Sequence, residues 1–467
     1  MALTTGSGTG AAPTRAGHAA LAILAVAQFL IALDYSIVYV AMPSIGAELR
    51  LTESTVQWVI SGYAVFFAGF LIVGGRAADR LGARRLFVGG LLVFGVAALA
   101  GGLAQEPTTL LLARAAQGIG AAVLQPAVLA LLNTMFAAGP ERNRALAVWG
   151  TTGASGLAAG VVLGGLLTTF SWRWVFLINL PLAAVCALAA PLLVIAGSAP
   201  RKTVPLNVLS AVLCTGTVLA LAIALTSAAS GGWASTTTLT GLGASLVLLV
   251  AFTVRERGSA GPLVDPVLRR TRSLVVGCGA AALYMASVGN EFFLVTLLLQ
   301  QLRGLTPLQA GIGFLPLALA ITAGNMVAGR LVNAFGSRRV LAVAFGIDAA
   351  GLLLLALLLH GDSYLADLLP GLIISGLGHG LTFTTMFIAG TRDIADRNQG
   401  VGSALMTTAQ YISGALGVAV LVLVLGPAPD AGRFMWAVLL TALFAAAGVV
   451  LAWFGPRRSP AGDPKGV

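Results

Sequence analysis

The sequence predicts an all-α integral membrane protein of fourteen transmembrane helices, arranged as two six-helix bundles plus two inserted helices. Three observations carry this. The chain is 58% hydrophobic and only 9% charged, with a mean hydropathy of +0.95, whereas soluble domains carry roughly 25% charged residues. Apolar runs of about 20 residues, the length a helix needs to cross a bilayer, recur fourteen times. Two stretches 254 residues apart, beginning at Gly75 and Gly329, share one pattern. A β-barrel is excluded, because its segments alternate polar and apolar residues over about ten positions.

Residues 1–17, rich in Gly and Thr, are expected to form a disordered cytoplasmic tail. A full-length span follows without a convincing cleavage site, which argues against a removable signal peptide. Runs near 18–43, 55–75, 86–104, 108–136, 145–169 and 174–196 make a first bundle over 18–196. A linker and the runs 206–228 and 237–254 occupy 197–256, and a cytoplasmic loop follows at 257–272. Runs near 273–300, 307–328, 340–359, 364–389, 401–426 and 433–455 make the second bundle over 273–455. A basic cytoplasmic tail closes the chain at 456–467.

The net charge of +11 raises the question of a nucleic-acid partner. Its distribution answers it. Of the 27 basic residues, the connections on the side of both termini hold 22, the opposite side holds Arg50, Arg173, Arg303 and Arg433, and Arg114 lies inside a helix. Such asymmetry is the positive-inside signature. It places both termini in the cytoplasm and makes the charge topological, with the lipid bilayer rather than nucleic acid as partner. Cys186, Cys214 and Cys278 sit in apolar runs without metal or disulfide spacing.

The loop GRAADRLGARRL at 75–86 and the loop GRLVNAFGSRRV at 329–340 repeat Gly-Arg, Gly and Arg-Arg at the 254 offset. Leu51-Thr52 and Leu305-Thr306 fall at the same offset. Parallel six-helix repeats about an axis along the membrane normal are one transporter architecture. With these motifs on fourteen helices the sequence resembles the major facilitator superfamily, in its 14-helix drug/proton antiporter branch. LDYSIVYVAMP (33–43) is similar to that branch's first-helix motif through Asp34, Ile37, Val38, Ala41 and Pro43, with Tyr39 where Asn is usual. GRAADRLGARR matches the loop motif, LLLARAAQGIGAA (110–122) the fourth-helix motif, and WRWVFLINLP (172–181) the start of the sixth helix. The resemblance implies the major facilitator fold. In the fifth-helix motif Val161 stands where the branch has proline, within GVVLGG (160–165), so the bend that proline imposes is not expected. Gly156, Gly160 and Gly164 still offer a smooth helix-packing face.

Ionisable groups inside apolar runs mark candidate sites, because each costs about 2.5–3.5 kcal/mol on insertion scales. Asp34 lies roughly 13 Å along its helix from Pro43, and Arg114 roughly 9 Å into the fourth helix from the same side. The two are expected to meet, and the resemblance assigns them proton coupling. Glu291 aligns with Ile37, and His379 with Gln125, at the 254 offset. Since the first and fourth helices line the cavity in the family, Glu291, Asn290, Gln117, Gln125 and His379 are expected to line the substrate cavity. Asp348, on a helix peripheral in that fold, is expected to have a local polar partner. Asp79 adds a negative charge useless for anchoring, between the tight-turn glycines of a basic loop. Gly75, Asp79, Arg80, Gly82 and Arg84 are therefore read as a conformational gate. Trp172 and Trp174 are expected in the interfacial aromatic belt.

No Walker A sequence, metal-ligand spacing or catalytic constellation occurs in the sequence, so neither an enzyme nor an ATP-driven pump is expected. The reading is a secondary active exporter of small amphiphilic drugs or natural products. It exchanges them for protons by alternating access, draws on the proton motive force without a cofactor, and works as a monomer in the cell membrane. A proton-coupled symporter of a small metabolite and a membrane sensor that does not transport are the alternatives.

Overall fold

The computed structural model describes residues 15–51, 53–193, 207–259, 262–305, 307–359, 363–426 and 430–455. Residues 1–14 and 456–467 of the expected tails, the whole of the 197–206 linker, Thr52 and Thr306 lie outside these residues. Residues 15–17 of the expected disordered tail are instead the start of a helix. Among the described residues every regular element is helical. The first bundle holds α1 (Arg15–Glu48), α2 (Glu53–Leu81), α3 (Ala83–Gly102), α4 (Pro107–Met135), α5 (Pro140–Thr168) and α6 (Asn179–Leu193). Two further helices follow, α7 (Val208–Gly231) and α8 (Thr236–Arg257). The second bundle holds α9 (Arg272–Leu297), α10 (Leu315–Phe335), α11 (Ser337–Leu358), α12 (Leu369–Thr391), α13 (Gln399–Leu425) and α14 (Ala431–Trp453). Thirteen candidate membrane spans run along these helices. α2, at 29 residues and about 43 Å, is a fourteenth helix of crossing length.

Burial is arranged as a bilayer requires. Leu92, Val96, Leu112, Leu188, Val212, Val247 and Leu357 are exposed on the outside, while Asp34, Arg114, Gln117, Asn290, Glu291, Asp348 and His379 are buried inside. Hydrocarbon solvates the first set, and the second can exist only where partners surround it. Within each half the helices cross at glycines. Added Cβ atoms at Gly156 and Gly160 of α5 would sit 2.7 Å from Phe29 O and 2.8 Å from Leu33 O of α1. The expected packing face is real at these two positions, and Gly164 is also buried. α5 runs helical through Val161, as a chain without the proline should.

The repeat is legible in the backbone. Gly82 and Gly336, 254 residues apart, cap α3 and α11 with φ of +98° and +83°, a region glycine enters without steric cost. The inserted helices pair through Ser245 Oγ, which donates to Thr217 O at 3.0 Å. α7 lies along α2 and α13, where the halves meet.

One expectation about Trp172 is corrected. Trp174 is half-exposed, but Trp172 is buried, and its Nε1 donates to Glu48 Oε2 at 2.7 Å. Arg173 pairs with Glu48 Oε1, stacks on Trp172 at 4.4 Å and donates to Ala104 O at 3.1 Å. These donors hold the Glu48 carboxyl below its usual range, Arg173 foremost. The tryptophan ties the α5–α6 turn to the end of α1, and Arg173 ties it to the α3–α4 turn, instead of Trp172 anchoring in headgroups.

Candidate functional site

Asp34 is fully buried on α1, and every donor it needs comes from another helix. Arg114 Nη1 of α4 donates to its Oδ2 at 2.8 Å. Gln117 Nε2, one turn along α4, donates to Oδ1 at 3.0 Å, and Asn179 Nδ2 of α6 donates to the same oxygen at 2.8 Å. Arg114 is positioned in turn. Its Nε donates to Val59 O at 3.0 Å, its Nη1 also to Gln117 Oε1 at 3.0 Å, and its guanidinium lies 4.5 Å above the Tyr63 ring. A buried pair repays its desolvation only when such extra hydrogen bonds are present.

The structure thus brings Asp34 and Arg114 together as the sequence leads one to expect, and it moves Gln117 from the cavity set into their network. Asn179 was not foreseen, although it sits in the quoted WRWVFLINLP stretch. Its signal is a lone amide in an apolar run.

The remaining cavity candidates are all buried. Gln125 on α4 leaves its Oε1 without a hydrogen-bond partner, and Asn290 on α9 leaves both amide atoms so. Asn290 lies against Gly417 of α13, where an added Cβ would stand 2.6 Å from its Oδ1. Glu291 and His379 do not stand open to the interface between the halves. They pair inside the second bundle, with His379 Nε2 2.6 Å from Glu291 Oε2. Ser375 Oγ donates to Glu291 Oε1 at 2.6 Å. Asp348 finds the local partner expected of it, accepting from Ser287 Oγ at 2.9 Å, and its Oδ2 also lies 3.4 Å from His379 Nδ1. Ligating atoms of Glu291, Asp348 and His379 all fall within 4.8 Å of one another.

The residues expected to form a gate sit where α2 meets the start of α13. Asp79 accepts from the backbone N–H groups of Gly400 and Val401 at 2.8 and 2.9 Å, two orphan donors of a helix N-terminus. Gly75 lies directly under this contact, since an added Cβ would come 2.8 Å from the Ala404 methyl. Gly82 makes the turn, and Arg80 and Arg84 lie half-buried beside it. Asp79 is beyond the apolar run of α2, and its burial in the gate pushes its carboxyl up to about 7 despite the two N–H donors.

The repeat supplies a second clasp that sequence reading missed. Asn333 stands 254 residues after Asp79, and its Oδ1 accepts from Asn143 Nδ2 of α5 at 2.6 Å. Under it Gly329 packs on α5, its added Cβ 2.8 Å from Asn143 O. At mid-depth Phe67 packs on Tyr411 at 4.6 Å, and Trp149 stacks on Phe383 at 5.1 Å. The halves are therefore clasped at their Arg-rich end and joined by aromatic contacts below it.

This architecture has many relatives. Residues 24–418 match the Major Facilitator Superfamily. Over 416 residues the chain is 38% identical to the puromycin resistance protein pur8 of Streptomyces alboniger, spanning 86% of this chain and 80% of that one. It is 37% identical to the cephamycin export protein CmcT of Amycolatopsis lactamdurans, spanning 88% and 86%. Among solved structures, the human organic anion transporter MFSD10 (TETRAN) superposes with a TM-score of 0.68 at 16% identity, over 93% of this chain and 99% of that one. With the match running from α1 into α13 and the same fold in the solved structure, this chain belongs to the Major Facilitator Superfamily.

Proposed function

We propose that this chain is a secondary active exporter of small amphiphilic antibiotics or natural products, exchanged for protons by alternating access, in the manner of the 14-helix drug/proton antiporters. One observation carries the reading. Asp34 is a carboxylate with no exposure, held by a cation and two amides from two other helices, in a family with export proteins among its relatives. An intramembrane acid held this way is a functional site by default.

Arg114, which donates to Asp34 at 2.8 Å, is the group whose approach and withdrawal tune that carboxyl. Exchange requires that Asp34 take up its proton from the outside and release it to the cytoplasm as the halves rock. Proton and cationic substrate then compete for one charge, and exchange follows without ATP. The Arg-rich end faces the cytoplasm by the positive-inside asymmetry, so the clasped state opens outward. The unpaired Oε1 of Gln125 and the unpaired amide of Asn290 are the groups offered to substrate.

The test is substrate-induced collapse of a preset pH gradient in inverted vesicles, with puromycin, lincomycin and a cephamycin as probes. Wild type dissipates the gradient with at least one probe, and Asp34→Asn does not. Collapse by Asp34→Asn equal to wild type would make the residue a structural tether and end this reading of it.

A further inference from the structure

We propose that Glu291, His379 and Asp348 form a second exchangeable-proton site, sealed inside the second bundle and separate from Asp34. The three residues come from α9, α12 and α11, and none has more than 1% exposure. The imidazole lies between the two carboxyls, with Nε2 2.6 Å from Glu291 Oε2 and Nδ1 3.4 Å from Asp348 Oδ2. Each ring nitrogen thus addresses a different acid.

Charge balance sets how many protons the cluster holds. With one labile proton, an imidazolium between two carboxylates, it is a net anion buried in the bundle. With two it is neutral. A buried uncompensated charge is the costly state, so the second proton belongs to the resting cluster and its departure is what a conformational change can drive.

The geometry also says which member exchanges. Glu291 has a donor for each oxygen, Ser375 Oγ at 2.6 Å and His379 Nε2 at 2.6 Å, and suits the anion. Asp348 accepts from Ser287 on Oδ2, while its Oδ1 and the Nδ1 of His379 have no hydrogen-bond partner. An open oxygen on Asp348 and an open ring nitrogen 3.4 Å from that same carboxyl mark where the exchanging proton resides. The other titratable group against the ring is Tyr284 of α9, edge-on at 5.9 Å. α10 and α5 bring the uncharged Asn325 and Trp149 to α12. α13 brings Tyr411, which faces Phe67, and on α14 Arg433 is turned to Leu425 O.

The cluster is built into helix packing. Gly378 of α12 lies flat against Asp348, an added Cβ falling 2.7 Å from the Asp348 Cα, and Gly351 of α11 packs as closely on Ser375. Any shift of α11 against α12 therefore changes the Asp348–His379 distance. Proton occupancy and the packing of the second bundle are coupled.

The test needs neither substrate nor gradient, so its outcome is independent of the export assay. The full chain has three histidines. His18→Gln with His360→Gln leaves His379 as the sole 15N-labelled imidazole in the purified, detergent-solubilised protein. At pH 7 its two nitrogens should both read as protonated, and infrared spectroscopy should show the carbonyl band of a protonated carboxyl. That band should vanish in Asp348→Asn, survive in Asp34→Asn, and titrate away together with a change at His379 as the pH is raised. Where Asp348→Asn does not fold, Glu291→Gln is the second variant. One labile proton then balances the cluster, so a doubly protonated His379 and the carbonyl band should no longer occur together at pH 7, and their joint persistence overturns the proposal. A neutral His379 with no such band in the parent protein overturns the proposal. A band that persists in both acid variants overturns it, and so does a stoichiometric zinc ion whose chelation moves the histidine signals.

Discussion

The ion pair of Asp34 and Arg114 can be separated into its structural and its functional part. Asp34→Ala leaves Arg114 buried with two carbonyl acceptors, Val59 O and Gln117 Oε1, and two aromatic faces, Tyr63 and Phe176. Breaking a buried pair from one side costs about 3–5 kcal/mol. Those remaining partners argue for the low end, about 3 kcal/mol, and Asn179 and Gln117 each lose a charged acceptor as well. Arg114→Ala should cost as much or more, because the anion then keeps only two amide donors. Replacing both, as Asp34→Leu with Arg114→Met, removes the desolvation of two charges and fills the space with apolar atoms. Replacements of that kind are often neutral or stabilising. The double variant should therefore unfold within about 1 kcal/mol of wild type while exporting nothing against a proton gradient. The assay is SDS-induced unfolding followed by tryptophan fluorescence, beside gradient collapse in vesicles. A double variant as unstable as the worse single one would show that shape and not charge holds this junction. A stable double variant that still exports would remove the pair from the proton pathway.

The clasped gate should respond to pH through Asp79. Its carboxyl is raised to about 7 in the closed state and returns toward about 3.9 when exposed, so closing the gate takes up protons. The contribution of Asp79 to closure is complete at low pH and is lost as pH rises through about 7. Acidifying from pH 8 to pH 6 should favour the closed state about tenfold, about 1.4 kcal/mol. Distances between spin labels across the Arg-rich end read this, and Asp79→Ala should abolish the dependence; a wild-type distribution that ignores pH would refute it. Gly160→Val drives a side chain into the α1 backbone at Leu33 and Ile37. It should lower stability by about 1–3 kcal/mol in the same SDS titration, with Gly165→Val, where an added Cβ meets nothing within 4 Å, as the silent control. Asn333→Leu removes the acceptor for Asn143 and should open the second clasp by about 1 kcal/mol; unchanged label distances near Asn143 would show that the amide pair carries no closure energy.

The parts of the site that could be read from the sequence were those where a residue's cost betrays it. Asp34 and Arg114 interrupt apolar runs, and a buried charge without a partner is so expensive that their meeting followed from depth alone. The loop glycines were readable for a similar reason, since the same turn occurs twice and needs a positive φ both times. What stayed hidden depends on helix rotation. In a soluble helix the apolar stripe reveals which side faces inward, but here both lipid and core are apolar, so the sequence of α9 does not say whether Glu291 faces the other half or its own bundle. It faces its own, toward His379 and Ser375. Asn143, Asn179 and Asn333 escaped because a lone amide carries little penalty to draw attention. Trp172 was placed in the headgroup belt on statistics, and the Glu48 carboxylate overruled them by offering its indole an acceptor.

The two halves, compared as repeats, divide the chemistry in a way that neither shows alone. In each, the first helix contributes a buried acid and the fourth a base, Asp34 with Arg114 and Glu291 with His379. The permanent charge of a guanidinium makes the first pair a fixed dipole, in which only the acid can change its protonation. Imidazole can itself change state near neutral pH, and the second pair adds a third titratable group in Asp348. The clasps carry the reverse asymmetry, with a titratable Asp79 in the first half and a neutral Asn333 in the second. The first half thus carries an acid at both levels, Asp34 in the core and Asp79 below it, whereas the second carries its acids in the core alone, above a neutral clasp. On the proposed proton exchange, the Asp79 contact to Gly400 and Val401 is the one of the two clasps that protonation can alter.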